Sequence, residues 1–165
     1  MPTDLSQWPL WQVQVRTLSK AYGLAGLRVG YAVAAESWIS KADQIRIQFA
    51  SSNLTGYLAD KVLSHPTFGE TLIADTIQLR SQFEQALAAG AQTEMTVLPS
   101  ATNFVAIRYP TPADAATRQQ ALLKQGIAVH RPPHPAMQHL LRVTAGPQAL
   151  DPFVLSALTC PSAAL

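Results

Sequence analysis

Residues 17–31 decide how this chain is interpreted, and they read Thr17-Leu18-Ser19-Lys20-Ala21-Tyr22-Gly23-Leu24-Ala25-Gly26-Leu27-Arg28-Val29-Gly30-Tyr31. A lysine follows two hydroxyl-bearing residues, a glycine-rich turn comes next, and an arginine lies eight positions after the lysine. A lysine amine can form an imine with an aldehyde, and an arginine can hold a phosphate through two parallel hydrogen bonds. The spacing therefore indicates a site for a small ligand that carries both an aldehyde and a phosphate.

Pyridoxal phosphate (PLP) carries these two groups on one ring. The segment closely resembles the cofactor-lysine segment of fold-type I PLP-dependent aminotransferases of class I and II, most of all the histidinol-phosphate aminotransferase branch. The resemblance implies that Lys20 binds the cofactor covalently and moves a proton during catalysis. It also implies that Ser19 and Arg28 bind the cofactor phosphate, and that the substrates are an amino acid and a 2-oxo acid.

Two later segments resemble the same family, in the same order along the chain. Pro99-Ser100-Ala101-Thr102-Asn103-Phe104-Val105 is similar to the segment that enters a strand of the family's small domain. Leu141-Arg142-Val143-Thr144-Ala145-Gly146 is similar to the segment whose arginine binds the substrate α-carboxylate. The resemblance implies that Arg142 has this role, because a planar guanidinium matches a carboxylate. Asn103 is a second candidate for substrate binding, or it ties down a turn.

The chain also departs from the family pattern. The family usually has an arginine four positions after the glycine that matches Gly126, whereas here that position is His130 and Arg131 follows it. Family members are considerably longer, and the parts that contact the cofactor ring lie upstream of the lysine, where this chain has only nineteen residues. We therefore expect the C-terminal part of an aminotransferase, inactive by itself, with a homodimer partner or a missing N-terminal half. A PLP-dependent decarboxylase of a phosphorylated amino acid and a non-catalytic dimerising or partner-binding domain remain as alternatives.

The fold class expected is α/β, a C-terminal small α/β sandwich domain of a fold-type I PLP enzyme plus an incomplete piece of the large-domain sheet. Residues 1–36 are assigned to the large PLP-binding domain and residues 37–165 to the small domain. Strands are predicted over six ranges, from alternating apolar residues or, at residues 27–34, from a nearly continuous apolar run. Helices are predicted over four ranges in which apolar residues recur every three to four positions, and residues 36–51 are predicted to be helical or irregular. The strands cover residues 11–18, 27–34, 95–98, 103–109, 127–130 and 140–144, and the helices end at residues 63, 89, 125 and 158.

Capping residues give the predicted helix ends. Asn53 or Thr55 is predicted to cap the first of these helices, and Thr67, with Glu70 three positions later, to cap the long helix that follows His65-Pro66. Pro112 is predicted to open the next helix and Gly126 to close it. The strand over residues 27–34 is predicted to be buried because its side chains are almost all apolar.

The composition of the chain argues against several classes of function. The net charge is only +2 and the twelve basic residues are scattered, which is not typical of a nucleic-acid-binding surface. Cys160 is the one cysteine, so no internal disulfide forms, and a cytoplasmic setting is expected. No apolar segment approaches the length that crosses a membrane. His130 and His134 have a spacing common by chance and are separated by prolines, so no metal site is expected.

Overall fold

The computed structural model describes residues 9–48, 50–90 and 95–159. The chain divides into two compact units, the first ending at Leu72 and the second beginning at Ile73. This division differs from the predicted one, which assigns residues 1–36 and 37–165 to two domains of a longer protein. That assignment stays a prediction. Cys160 lies outside the described residues. Within the described residues, no helix combines the length and apolar character needed to cross a bilayer.

The first unit opens with a hairpin. Strand β1 (Val13–Thr17) pairs antiparallel with strand β2 (Gly30–Ala34), from Val13 opposite Ala34 to Thr17 opposite Gly30. A short 3-10 turn at Ala25–Leu27 precedes β2, so the second strand is shorter than predicted. The prediction that it is buried is wrong, since residues 30–32 are exposed. In the described part of the chain β2 pairs with β1 alone, and a two-stranded ribbon leaves much of both strands open to solvent.

Three helices follow β2: α1 (Glu36–Ile45), α2 (Asn53–Leu63) and α3 (Pro66–Gly90). The predicted cap of α2 is corrected, because the Ser52 hydroxyl accepts from the backbone N–H of Thr55 at 3.1 Å. Thr67 is not an N-cap either. Helix α3 already begins at Pro66, whose missing N–H and fixed φ suit a first helical position. The predicted end of this long helix is confirmed to within one residue.

The second unit contains a three-stranded antiparallel sheet in the order β3–β4–β5, made of Thr96–Leu98, Phe104–Arg108 and Leu140–Thr144. Side chains alternate between its two faces, so Val105, Ile107, Leu141 and Val143 share one face and are buried. Helices α3, α4 (Pro112–Lys124) and α5 (Pro152–Thr159) contribute further large core residues, which are Phe83, Leu87, Leu122 and Leu158. A sheet covered by helices on one face confirms the predicted small α/β sandwich.

Helix α4 follows the sequence prediction closely, and the segment after it does not. Thr111 and Asp114 form a capping box, and Gly126 has the left-handed φ of +82° typical of a helix end. The predicted strand over residues 127–130 is wrong, since only His130 makes a bridge, opposite Arg142. The reason is that α4 supplies the nearby partners. The Ile127 N–H donates to the Leu122 carbonyl at 2.9 Å, and the Gln119 side chain donates to the Val129 carbonyl at 3.1 Å.

Tyr109, which follows β4, gives a pH-dependent prediction. Its hydroxyl is buried without a hydrogen-bond partner in the described structure. Burial raises the pKa of Tyr109 from 10.0 to about 12, although the nearby positive charge of Arg118 lowers it in part. The unfolded chain therefore releases this proton first, and stability should fall as the pH rises from about 10 to 12, by on the order of 2 kcal/mol.

The measurement is urea unfolding at several alkaline pH values for the wild type and for Tyr109→Phe. The variant removes the titrating hydroxyl and keeps the ring, so the difference in unfolding free energy between the two proteins isolates this group from every other lysine and tyrosine. A difference that stays constant across this pH range would show that Tyr109 does not titrate with a raised pKa.

Candidate functional site

The candidate cofactor segment is the loop that joins β1 to β2. It folds back on itself through backbone hydrogen bonds, with the Leu18 N–H donating to the Val29 carbonyl at 3.2 Å and the Leu24 N–H to the Leu18 carbonyl at 3.1 Å. Leu18 is only 1% exposed and anchors the loop at its start. Gly23 adopts a φ of +67°, which a glycine reaches without steric strain.

Ser19 and Lys20 lie at the start of this loop, directly after β1. The Thr17 hydroxyl donates to the Ser19 hydroxyl at 2.9 Å and accepts from the Ser19 N–H at 3.1 Å, which orders the turn before the lysine. Lys20 is exposed, and its ammonium has no hydrogen-bond or ion-pair partner among the residues that the structure describes. The Lys20 side chain is therefore accessible to a ligand from solvent.

Arg28 lies at the end of the loop in an unusual backbone conformation. Its φ of +51° makes it the one non-glycine residue with a positive φ in the described ranges. Such conformations cost roughly 1 to 3 kcal/mol and cluster at functional sites. The Arg28 guanidinium donates to the Ala25 carbonyl at 3.0 Å, which holds the side chain beside the 3-10 turn. The loop thus fixes the direction of this guanidinium.

Arg28 also borders a cavity of about 410 Å³, together with Gly30, Arg46 and Ser51. Two guanidinium groups and a hydroxyl give this cavity a donor set suited to an anion such as a phosphate. Arg46 is partly neutralised by Asp43, whose carboxylate lies 3.4 Å from its Nε. Neither Ser19 nor Lys20 lines this cavity. Sequence reasoning missed Arg46 and Ser51, because nothing in their spacing from Arg28 marks them as its neighbours.

Tyr22 also fixes the β1–β2 loop, because its ring packs against α3. A Cβ built on Gly69 would lie 2.5 Å from Cε1 of the Tyr22 ring, so only a glycine lets the ring lie this close. We expect Gly69→Ala to displace the ring and to destabilise the first unit by roughly 1 kcal/mol or more. The measurement is urea unfolding followed by tryptophan fluorescence, to which Trp38 in the same unit contributes.

Gly56→Ala is the matched control for this substitution. Gly56 is also helical, in α2, and a Cβ there would meet open space. The same substitution should therefore stabilise the protein by roughly 0.5 to 1 kcal/mol, through helix propensity and a less flexible unfolded chain. If both variants were stabilised equally, the Tyr22 ring would not depend on the absence of a side chain at position 69.

The candidate substrate residues lie in the second unit. Arg142 is in the middle of β5 on the face opposite the core, and its guanidinium carbon lies 3.7 Å from the centre of the Phe104 ring. Its Nε is buried without a partner, and no hydrogen bond or ion pair to its side chain is found in the described residues. A guanidinium whose N–H groups have no partner can donate hydrogen bonds to the carboxylate of a ligand. Sequence reasoning missed the contact with Phe104, which no spacing rule reveals.

Asn103 ties two elements together through its backbone. Its carbonyl accepts from the Ala145 N–H at 3.0 Å and so joins the segment before β4 to the end of β5. Any residue at this position could supply the carbonyl, so both interpretations of the Asn103 side chain, fixing a turn and binding substrate, stay predictions. No group of three or more histidine, cysteine, aspartate or glutamate side chains in the described residues could hold a metal ion.

Three comparisons place the chain among known proteins. The sequence profile described as aminotransferase class I and II matches residues 9–157. Histidinol-phosphate aminotransferase 1 of Burkholderia lata is 36% identical over 148 residues, which cover 88% of this chain and 40% of that protein. The crystal structure of histidinol-phosphate aminotransferase from Sinorhizobium meliloti in complex with pyridoxal-5'-phosphate is 28% identical, with a TM-score of 0.74 over 93% of this chain and 40% of that one.

L-threonine-O-3-phosphate decarboxylase from Porphyromonas gingivalis is also similar in structure, with a TM-score of 0.73 and 24% identity over 88% of this chain and 45% of that one. At this identity the likeness shows the shared fold alone. The chain spans about two fifths of the length of the curated relatives that it matches. The profile match covers nearly all of the chain and confirms the resemblance drawn from the lysine motif. The chain belongs to the family of class I and II aminotransferases.

Proposed function

We propose that this chain serves PLP-dependent transfer of an amino group between an amino acid and a 2-oxo acid, as in histidinol-phosphate aminotransferases. The observation that carries the proposal is the β1–β2 loop, which presents an unpartnered Lys20 and holds Arg28 in a strained conformation beside a cavity of about 410 Å³. The relatives' names and the PLP complex of the Sinorhizobium meliloti protein support the same chemistry.

The residues present fit the cofactor by the chemistry of their donors. Arg28 would hold the phosphate, with Ser19 as a hydroxyl donor, and Lys20 would bind the cofactor covalently through Nζ. Bound PLP supplies an electron-withdrawing ring that stabilises negative charge at the substrate α-carbon. Once released from the cofactor, the Lys20 amine would carry a proton from the substrate α-carbon, which requires the amine to be neutral at that moment.

Arg142 would hold the substrate by its α-carboxylate. Its position on the outer face of the sheet and its unused donors support this role. A carboxylate held at two points by a planar guanidinium has a fixed orientation, and this orientation decides which α-carbon bond is activated. The function of Arg142 is therefore both to bind the amino acid and to select the reaction.

The proposal is tested by titrating the chain with PLP and following the absorbance of the cofactor, with inorganic phosphate as competitor. We expect saturable binding that phosphate weakens, and a roughly tenfold or greater loss of affinity in Arg28→Gln, since a charged phosphate contact is removed. Arg108→Gln, at an exposed position of β4, is the matched control and should bind like the wild type. Equal affinity of the two variants would contradict the assignment of Arg28.

The type of reaction is tested by adding L-glutamate or, in a separate sample, L-threonine-O-3-phosphate to the PLP-loaded protein, since the alternative is a decarboxylase of a phosphorylated amino acid. Amino transfer yields pyridoxamine phosphate and 2-oxoglutarate, whereas the alternative of decarboxylation releases carbon dioxide. Release of carbon dioxide without formation of 2-oxoglutarate would contradict the proposed amino transfer and support the decarboxylase.

A second candidate function, a domain that pairs with a second copy of this chain, is favoured by exposed apolar side chains in β1 and just before it. Trp11 is 76% and Val15 is 78% exposed, and an exposed strand edge with apolar side chains pairs readily with another chain. Light scattering of the chain tests this candidate, because a strictly monomeric species at high concentration would contradict it. A dimer that also binds PLP would be compatible with both functions.

A further inference from the structure

The Arg142 guanidinium is held by an aromatic ring rather than by an acidic side chain. Its Cζ lies 3.7 Å from the centre of the Phe104 ring, which is well within the range of a cation–π contact. An aspartate or glutamate in this place would neutralise the guanidinium and compete with a ligand carboxylate. The ring instead fixes the plane of the guanidinium and leaves its hydrogen-bond donors unused, and the described residues provide no other partner for them.

The strand register explains why these two side chains meet. Ala106 lies opposite Arg142 and Phe104 lies opposite Thr144, so all four side chains are on the same face of the sheet. The opposite face carries the buried core residues. Ala106 is small, which leaves room for the guanidinium to lie diagonally across β4 onto the Phe104 ring. His130 bridges β5 on the other side of Arg142 and is exposed, and Arg142 itself is half-buried.

The segment before β4 holds Phe104 in place. The Ser100 hydroxyl donates to the Phe104 carbonyl at 2.6 Å, and the Phe104 N–H donates to the Thr102 hydroxyl at 3.4 Å. Helix α3 holds this segment by hydrogen bonds from two of its side chains, which lie one helical turn apart. The Ser100 N–H donates to the Glu84 carboxylate at 3.0 Å, and Arg80 donates to the Thr102 carbonyl at 2.9 Å. The ring is therefore built on a segment that α3 anchors.

We propose that Phe104 is a positioning residue for Arg142, which sets the plane of the guanidinium so that its open donors receive a substrate carboxylate. The part of this inference that concerns the carboxylate rests on the proposed function. The stacking of the Phe104 ring on the Arg142 guanidinium is a property of the unliganded protein and does not depend on that function. The two parts are therefore tested by different readouts.

The first readout is the Arg142 Nε–H signal in the proton–nitrogen NMR spectrum of the whole chain, assigned by its loss in Arg142→Lys. The Phe104 ring current should displace this signal from the position of a free arginine. The displacement should disappear in Phe104→Leu and persist in Phe104→Tyr, which keeps an aromatic ring. Phe153→Leu, an exposed phenylalanine in the same unit, is the matched control and should leave the signal unchanged. Unchanged backbone signals of β4 and β5 show that each variant is folded.

The second readout is the response of the same signal to added L-glutamate. Affinity should fall roughly three- to tenfold in Phe104→Leu and stay within about twofold of the wild type in Phe104→Tyr, as expected for the loss or retention of one cation–π contact. A wild-type signal at the free-arginine position, or equal affinity in Phe104→Leu, would overturn the positioning role. A displaced signal that does not respond to L-glutamate in the wild type would instead overturn the carboxylate role of Arg142 and leave the stacked ring established.

Discussion

Lys20→Arg is expected to abolish the covalent attachment of PLP to this chain. When PLP and then borohydride are added, the wild type should carry one reduced adduct, and peptide mapping by mass spectrometry should place it at Lys20. The effect is large because an arginine keeps the positive charge and the length of the side chain but has no amine that reacts with an aldehyde at neutral pH. Labelling of the variant should fall to the level of nonspecific reaction, which means a loss of tenfold or more.

Lys41→Arg is the matched control for this experiment. Lys41 is exposed on α1 in the same unit, 5.9 Å from the Trp38 ring, and lies outside the β1–β2 loop. Its replacement should leave the adduct at Lys20 unchanged. Labelling spread equally over Lys20, Lys41 and Lys61 would mean that the β1–β2 loop does not select one amine, and it would contradict the proposed cofactor role.

The elements with strong local signals were predictable from the sequence. Helix α4 begins with a proline after a threonine cap and ends before a glycine with positive φ, and these signals depend only on neighbouring residues. Strand β5 was predicted with its observed bounds because its side chains alternate between a buried and an outer face. The family was predictable for a related reason, since the lysine motif is a local pattern of residue types.

The errors arose where contacts distant along the chain decide the structure. Residues 127–130 have the composition of a strand, but α4 provides nearby hydrogen-bond partners and only His130 reaches β5. The burial predicted for β2 failed because apolar composition does not reveal how many strands pair with it. At the site, Lys20 and Arg28 were identified by type and spacing. Arg46 at the cavity and Phe104 beneath Arg142 were missed because only the folded chain brings them near.

Phe83→Ala is expected to have the largest effect on stability. Phe83 belongs to α3, is 0% exposed and packs in the core between the helices and the sheet of the second unit. Removing a buried aromatic ring costs roughly 3 to 5 kcal/mol, since apolar contacts are lost and a cavity remains. This loss is a large fraction of the roughly 5 to 15 kcal/mol that stabilises a typical domain. The free energy of unfolding of the second unit should therefore fall by this amount, and the unit should open more often at room temperature.

The three tryptophans all precede Ile73 in the sequence, where the second unit begins, so tryptophan fluorescence is a poor readout for this change. Amide hydrogen exchange at Val105, Ile107 and Leu141 is the suitable measurement, because these residues lie in the paired strands β4 and β5 and are buried. Exchange should become faster by two orders of magnitude or more, which corresponds to about 3 kcal/mol at a tenfold change per 1.4 kcal/mol. Phe153→Ala, at a position that is 57% exposed, should leave exchange at these amides nearly unchanged, and equal acceleration in both variants would mean that Phe83 has no special place in the core.

Since Phe83 lies on the same helix as Arg80 and Glu84, its loss should also release the segment that holds Phe104, and the displaced Arg142 signal should disappear together with the protection of the sheet.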